Sequence, residues 1–343
     1  MENKYTASLI GCGRIGYSLG LDKKREQPAS HTMAMLDNNR ILLIAGVDTD
    51  STTLQKWHDA NKKCIVYSSS ANLYARQHSD IIVIAVNEKS HLKETLDAIQ
   101  AKPKLIILEK PVALNSIEAK LIKDSASRDN IPIIVNHERR FADDYNKAKS
   151  LMDKIGTITS IRGSLHSGMK VYSPREELTG FYSLLHDGTH LIDIILFFLE
   201  DNAGDSGSIL SLSAVTGIKK DEKGEVRNLN AHFSCSKCSD VSIQINGESK
   251  FFGFEVDIIG TEGRILIGNG IFRLFVKEES KLYSNFYSLE EDKSVKGPKH
   301  SGYFSNMYKN AVEFLDGKAE LKSTLQTGMN SLAIIDRIKE RLH

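Results

Sequence analysis

The sequence predicts a two-part α/β chain: a doubly wound parallel sheet, then an α+β part with a mostly antiparallel sheet. Three observations carry this. The triplet Gly11-x-Gly13-x-x-Gly16 follows directly on the apolar run Ala7-Ser8-Leu9-Ile10. Up to residue 135, continuous apolar runs alternate with polar–apolar stretches of helical length. From about Ile158 the runs take period 2, the pattern of strands with one buried face. A chain of 343 residues has the length of roughly two domains. The change of period divides it into 1–136 and 137–343.

Ser8–Ile10 reads as the first strand. After a strand, each glycine of the triplet has a task. The first makes the tight turn, the second admits a pyrophosphate, and the third lets helix and sheet pack closely. Gly11, Gly13, Arg14, Ile15 and Gly16 are therefore the candidate dinucleotide loop; the plainer reading is a glycine-rich turn. Leu19–Ser30 holds charges, a Gly and a Pro, and reads as an inserted basic flap before a helix resumes at His31. Ile41–Val47 is a continuous apolar strand ending at Asp48. A carboxylate there accepts both ribose hydroxyls of an adenosine and repels a 2′-phosphate. Thr49, Asp50 and Ser51 bring no basic residue, which favours NAD over NADP. A solvated strand-end Asp is the plainer alternative.

Ile81–Val86, Leu105–Leu108 and Ile131–Val135 are further buried strands, with helices His91–Gln100 and Ser116–Ser127 between them. In the second part, Val241–Ile245, Phe252–Ile258, Ile265–Ile267 and Ile271–Val276 read as strands. Helices are expected at Ser183–Leu199, Phe304–Leu315 and Thr324–Leu342, and polar loops at Glu200–Gly207 and Lys219–Arg227.

Composition narrows the function classes. Lys+Arg at 45 against Asp+Glu at 44 leaves no basic excess for nucleic acid or an anionic membrane. No apolar run approaches the ~18 residues of a membrane span, and the N-terminus lacks a signal-peptide core, so a cytoplasmic location is expected. The four cysteines fit that compartment. Cys235-Ser-Lys-Cys238 has no second pair or suitably spaced His to complete a zinc site, and reads as two reduced thiols in a sheet or its turn.

Two further constellations bear chemistry. In Glu109-Lys110-Pro111 the proline restricts Lys110 to extended backbone at the carboxyl end of a parallel strand, where such sheets bind ligands. An ammonium there can donate to a substrate oxygen; a surface Lys before a helix-starting Pro is the alternative. In His186-Asp187-Gly188-Thr189-His190-Leu191-Ile192-Asp193 the two histidines lie one helical turn apart, and Asp187 neighbours His190. A His beside a carboxylate suits proton transfer. Capping and core contacts would also explain these residues. A metal site is not expected, because no further ligand cluster is visible.

Gly11-x-Gly13-x-x-Gly16, Asp48, Val86–His91, Glu109-Lys110-Pro111, Asn136–Phe141, Gly188–Asp193 and Gly260–Gly263, in this order, resemble the Gfo/Idh/MocA oxidoreductase family. The resemblance implies an N-terminal Rossmann domain and a C-terminal α+β domain with a large open sheet, often a surface for homo-dimers or homo-tetramers. It implies a nicotinamide cofactor and a sugar, cyclitol or related substrate. By position, Lys110 is similar to the family's catalytic lysine and His190 to its acid/base histidine. Asn87 and His91 match the loop flanking the nicotinamide ribose, and Glu109 and Lys110 complete the implied cofactor contacts. The family's Asp four residues before the histidine is His186 here, with Asp187 shifted by one. His186, Arg140, His166 and Tyr172 are the expected substrate contacts, and Lys170 with Arg140 would suit a phosphate. A sugar- or dinucleotide-sensing protein without catalysis is the alternative on the same fold.

Overall fold

A computed structural model describes residues 4–201 and 210–342. The chain divides into two units, each discontinuous: 1–142 with 302–329, and 143–301 with 330–343.

The first unit holds six strands, β1 (Tyr5–Ile10), β2 (Ile41–Val47), β3 (Ile65–Tyr67), β4 (Ile81–Ile84), β5 (Leu105–Glu109) and β6 (Ile133–Asn136). They form one parallel sheet in the order β3-β2-β1-β4-β5-β6. The order reverses at β1, so the switch point lies where the glycine triplet leaves the sheet. β4 and β5 are buried along their whole length, which is why they read as unbroken apolar runs. The helices are α1 (His31–Asp37), α2 (Ser51–Ala60), α3 (Ser70–Tyr74), α4 (His91–Gln100) and α5 (Ser116–Asp129). Ser30, Asp50, Ser69 and Asn115 cap α1, α2, α3 and α5, each accepting from the backbone N–H three residues on.

The division differs from the one expected at 136/137. The first unit also takes residues 137–142 and the returning segment 302–329. The physical reason is burial. Phe304, Met307, Tyr308 and Ala311 of the helix Tyr303–Leu315 belong to the same apolar core as Leu9, Met35 and Ile107. An amphipathic pattern announces a helix but does not say which core it joins.

The second unit begins with α6 (Asp143–Ser150) and the strand β7 (Ile158–His166). The expected helix Ser183–Leu199 is two segments, α7 (Ser183–His186) and α8 (Gly188–Leu199), meeting at Asp187. Then come β8 (Ser211–Lys220), β9 (Val226–Cys235), β10 (Cys238–Asn246), β11 (Gly253–Gly260), β12 (Gly263–Gly268), β13 (Ile271–Glu279) and β14 (Tyr287–Glu291). The eight strands form one sheet, β14-β13-β12-β11-β7-β10-β9-β8, antiparallel except for the β7–β10 pair. α8 packs on one face. A Cβ at Gly163 of β7 would come within 2.8 Å of Leu191 and 2.9 Å of Ile195. The other face carries Arg162, Ser164, Gln244, Glu255, Asp257 and Arg264. Of the polar loop expected at 219–227, residues 221–225 form the turn between β8 and β9, and the two ends are strand. Most of the Glu200–Gly207 loop lies outside the described residues. The last helices are α9 (Tyr303–Leu315) and α10 (Leu325–Lys339). No helix among the described residues is long and apolar enough to cross a membrane.

Candidate active site

In the first unit the glycine loop is fixed by its own backbone. Gly11 has φ +95°, and a Cβ there would meet the Ala85 carbonyl oxygen at 2.4 Å. Gly16 is closed in as tightly, its Cβ position falling 2.0 Å from the Gly11 oxygen. At Gly13 a Cβ would meet nothing within 4 Å. The loop is therefore dense at its two ends and open at its middle glycine, the shape a pyrophosphate requires. Asp48 is tied to this loop. One carboxylate oxygen accepts from the Cys12 N–H at 2.9 Å, and the other from the Asp50 N–H at 2.9 Å. Both oxygens keep lone pairs for further donors. These residues fit a dinucleotide.

The expected insertion is spliced into a helix. The N–H of Tyr17 reaches the Gly13 oxygen, beginning a helical turn. The N–H groups of His31 and Thr32 then bond to the oxygens of Ile15 and Gly16 at 3.1 and 2.9 Å. Thr32 Oγ1 adds a bond of 2.7 Å to the Gly16 oxygen. The first turn thus continues into α1 across a gap in sequence, and the intervening residues loop out.

At the ends of β5 and β6 the structure holds a network that sequence reasoning missed. Glu109 and Asn136 are register partners, and Asn136 Nδ2 donates to Glu109 Oε1 at 2.6 Å. His31 Nε2 lies 2.8 Å from the same oxygen, and Tyr308 Oη lies 2.8 Å from His31 Nδ1. All four side chains are buried. Burial alone would raise the Glu109 carboxyl. The His31 hydrogen bond, with His31, Lys110 and Asn136 nearby, outweighs it and holds the group below its ordinary range. A carboxylate only accepts, so His31 carries a proton on Nε2. Through this one oxygen, which accepts from both His31 and Asn136, the Glu109 side chain braces the strand ends.

His91 is held by backbone carbonyls. It is 1% exposed, with Nδ1 2.6 Å from the Pro111 oxygen and Nε2 3.2 Å from the Val86 oxygen. Burial pushes its pKa below the ordinary value against the pull of those carbonyls. A neutral ring has one proton, and the shorter contact marks Nδ1–H as the donor. His91 ties the exit of β5 to that of β4. Asn87 precedes the short turn Glu88–Ser90 between them, its oxygen accepting from the Ser90 N–H at 2.8 Å. Lys110, half-buried, emerges between Glu109 and Pro111, so its backbone is held on both sides. Arg140 lies in the 3-10 turn Glu138–Arg140, is 1% exposed, and belongs to the first unit rather than to the substrate domain expected for it.

In the second unit, His186, Asp187 and His190 are half-buried, while Leu184, Leu185, Gly188, Thr189 and Leu191 are buried. Asp187 keeps right-handed helical backbone, and its oxygen accepts from the His190 N–H at 3.1 Å. The two segments are thus nearly one helix, with three half-buried polar residues, His186, Asp187 and His190, near its start. Gly188 is where the helix meets β10, its Cβ position 3.1 Å from Ile245. Asp193 is buried and accepts from Ser331 Oγ at 3.2 Å.

The other expected substrate contacts of this unit have partners of their own. His166 alternates with Ile161, Gly163 and Leu165, which face α8, and so it points to the opposite face of the sheet. There it bonds to Ser249 Oγ at 3.0 Å and stacks on Phe251. Its neighbour Ser167 meets Ser183 of α7 instead. Tyr172 is fully buried against Tyr182, with its hydroxyl donating to Glu177 at 3.0 Å. Lys170 is paired with Glu176 at 2.6 Å and Glu225 at 3.3 Å, so its charge is already answered. Among the described residues no group of three or more His, Cys, Asp or Glu side chains is arranged to hold a metal ion.

Residues 6–137 match the family model described as an oxidoreductase family with an NAD-binding Rossmann fold. Oxidoreductase P35 of Formosa agariphila is 28% identical over 165 residues, 47% of this chain and 47% of that protein. D-apiose dehydrogenase of Rhizobium rhizogenes is 28% identical over 219 residues, 61% of each. The chain thus spans about half the length of the curated relatives it matches. An oxidoreductase from Agrobacterium radiobacter, solved with NAD+, L-tartaric acid and magnesium, superposes with a TM-score of 0.74 at 20% identity. That match covers 97% of this chain and 95% of the other, and shows the fold.

Proposed function

We propose, from the match of residues 6–137 to the Gfo/Idh/MocA oxidoreductase model, that the chain is an NAD-dependent dehydrogenase, or the reverse ketoreductase. Its substrate carbon is a secondary alcohol or ketone of a sugar, cyclitol, sugar phosphate or nucleotide sugar. The observation that carries this reading is the bracing of Lys110. The lysine stands at the carboxyl end of β5, the ligand edge of the sheet, between a carboxylate anchored by His31 and Asn136 and a proline carbonyl anchored by His91. A lysine needed only for solubility requires no such support.

Gly11 to Gly16 would hold the pyrophosphate and Asp48 the adenosine ribose. The bound nicotinamide supplies the hydride acceptor. Lys110 donates a hydrogen bond to the reacting oxygen and stabilises its developing negative charge. His190 takes the hydroxyl proton, with Asp187, three residues before it, favouring the charged ring. His186 takes the place of the family's aspartate as a substrate contact. The sugar-like class is supported by the name of the D-apiose dehydrogenase relative. NAD over NADP is supported by Asp48. Self-association through the polar face of the eight-stranded sheet follows from the family resemblance, and four free cysteines support a cytoplasmic location.

The test is a screen at the NADH absorbance band over free sugars, cyclitols, sugar phosphates and nucleotide sugars. Turnover with one class establishes the dehydrogenase and names its substrate. NAD binding without turnover on any class favours a sensor.

A further inference from the structure

The Cys-x-x-Cys of the sequence takes no part in the site above, and the fold gives it a specific geometry. Cys235 ends β9, Cys238 begins β10, and Ser236-Lys237 is the two-residue turn between them. The two cysteines are register partners, so their side chains lie on the same face of the hairpin. Facing residues in antiparallel strands have Cα atoms about 4.5–5.5 Å apart, inside the roughly 4.4–6.8 Å that a disulfide spans. A register irregularity follows Cys238 at once, before Val241, which frees the strand to adjust locally.

The two thiols differ in a useful way. Cys235 is half-buried and accessible, whereas Cys238 is 2% exposed, with Sγ 3.3 Å from the Asp240 oxygen. Burial raises the Cys238 thiol above its ordinary pKa, with Cys235 also acting on it. A more accessible attacking sulfur beside a sheltered resolving one is the arrangement that reversible thiol chemistry uses. The turn itself is anchored. Lys237 Nζ donates to the Leu199 oxygen at the end of α8 at 2.9 Å and pairs with Asp201.

We propose that Cys235 and Cys238 form a reversible dithiol–disulfide site that reacts with small disulfides. The Cys235 thiolate attacks one sulfur of the small disulfide, forming a mixed disulfide and releasing one small thiol. Cys238, losing its proton, then displaces the second small thiol and closes the ring. The chain loses two electrons and two protons, and the small disulfide becomes two thiols. The hairpin hangs on the last turn of α8, so closure acts at the carboxyl end of the helix whose other end carries His190.

The test uses the full chain incubated with oxidised glutathione, alkylated with N-ethylmaleimide and mapped by mass spectrometry. The expected result is the loss of two alkylatable thiols per chain, both in one peptide containing Cys235 and Cys238, and their return with dithiothreitol. Cys238→Ser should instead keep glutathione on Cys235. All four thiols remaining alkylatable in the unaltered chain would overturn the proposal. So would glutathione persisting on Cys235 there, or a disulfide joining two chains.

Discussion

The end of β5 in the first unit and the start of α8 in the second are built on opposite plans. Around Lys110 the flanking groups are buried and held by named partners. Glu109 is held by His31 and Asn136, and the Pro111 carbonyl by His91. Around His190 the polar residues are half-buried and rest on apolar packing, with Gly188 and Leu191 below them. Under the proposed function, rigidity sits where a charge must meet a reacting oxygen at one distance, and latitude where substrates of different shape are received. A preorganised donor loses little when the reaction occurs, whereas a specificity surface gains from side chains that can be exchanged.

The largest expected effect breaks the first plan. His31→Ala leaves the Glu109 carboxylate buried with Asn136 as its remaining side-chain donor in this network. Removing one partner of a buried ionic group costs about 3–5 kcal/mol, which a urea unfolding series will read. A loss below ~1 kcal/mol, the size of an ordinary hydrogen bond, would mean that the network does not hold the strand ends. Lys110→Ala should be next: a fall in kcat of about 10²–10³-fold, roughly 2.7–4 kcal/mol. NADH affinity by fluorescence titration should stay within a few fold. Near-native kcat on the true substrate would remove Lys110 from the chemistry and leave the bracing without a purpose.

These two residues also show what a sequence discloses. Lys110 was legible because a proline and a strand fix its backbone, and both are local signals. The glycine loop and Asp48 were legible for the same reason. His31 was not: its role depends on Tyr308, which comes 277 residues later, and on a strand register that no local pattern reports. The helix that brings Tyr308 was read correctly as a helix, but its assignment to the first unit's core needed three-dimensional packing. The spliced first helix shows the same limit. The insertion was visible as composition, while the bonds joining His31 and Thr32 to Ile15 and Gly16 were not.

A smaller effect sharpens the comparison through pH. The folded pKa of His91 is depressed, chiefly by burial. The unfolded chain takes up this proton near pH ~6.5, whereas the folded chain resists it. The corresponding stability is therefore complete above about pH 6.5 and is lost as the pH falls toward the folded value. The limiting slope for one such group is about 1.4 kcal/mol per pH unit. Unfolding midpoints taken between pH 7.5 and 5.5 should fall less steeply in His91→Gln, which keeps a donor for the Pro111 carbonyl and has nothing to protonate. Equal slopes in the two proteins would show that the ring does not resist protonation and that its Nε2 contact is a true hydrogen bond. Glu109 does not confuse this window, because a carboxyl held below its ordinary ~4.3 acts only at lower pH.

The smallest expected effect separates the two faces of the second unit's sheet. His166 is an expected substrate contact, and period-2 alternation puts it with Arg162 and Ser164, opposite Ile161, Gly163 and Leu165, the apolar members of β7. His166→Ala should change kcat/KM by no more than about twofold, in line with the few tenths of a kcal/mol usual for changes away from a site. Removing the hydroxyl from the next residue, in Ser167→Ala, breaks a contact with Ser183 in the turn of helix that leads to His186. That variant should show the larger change in KM of the two. If His166→Ala proved the more damaging, the polar tip of α7 and α8 would not be the substrate-facing side of this unit, and the opposite face of the sheet would have to take that role.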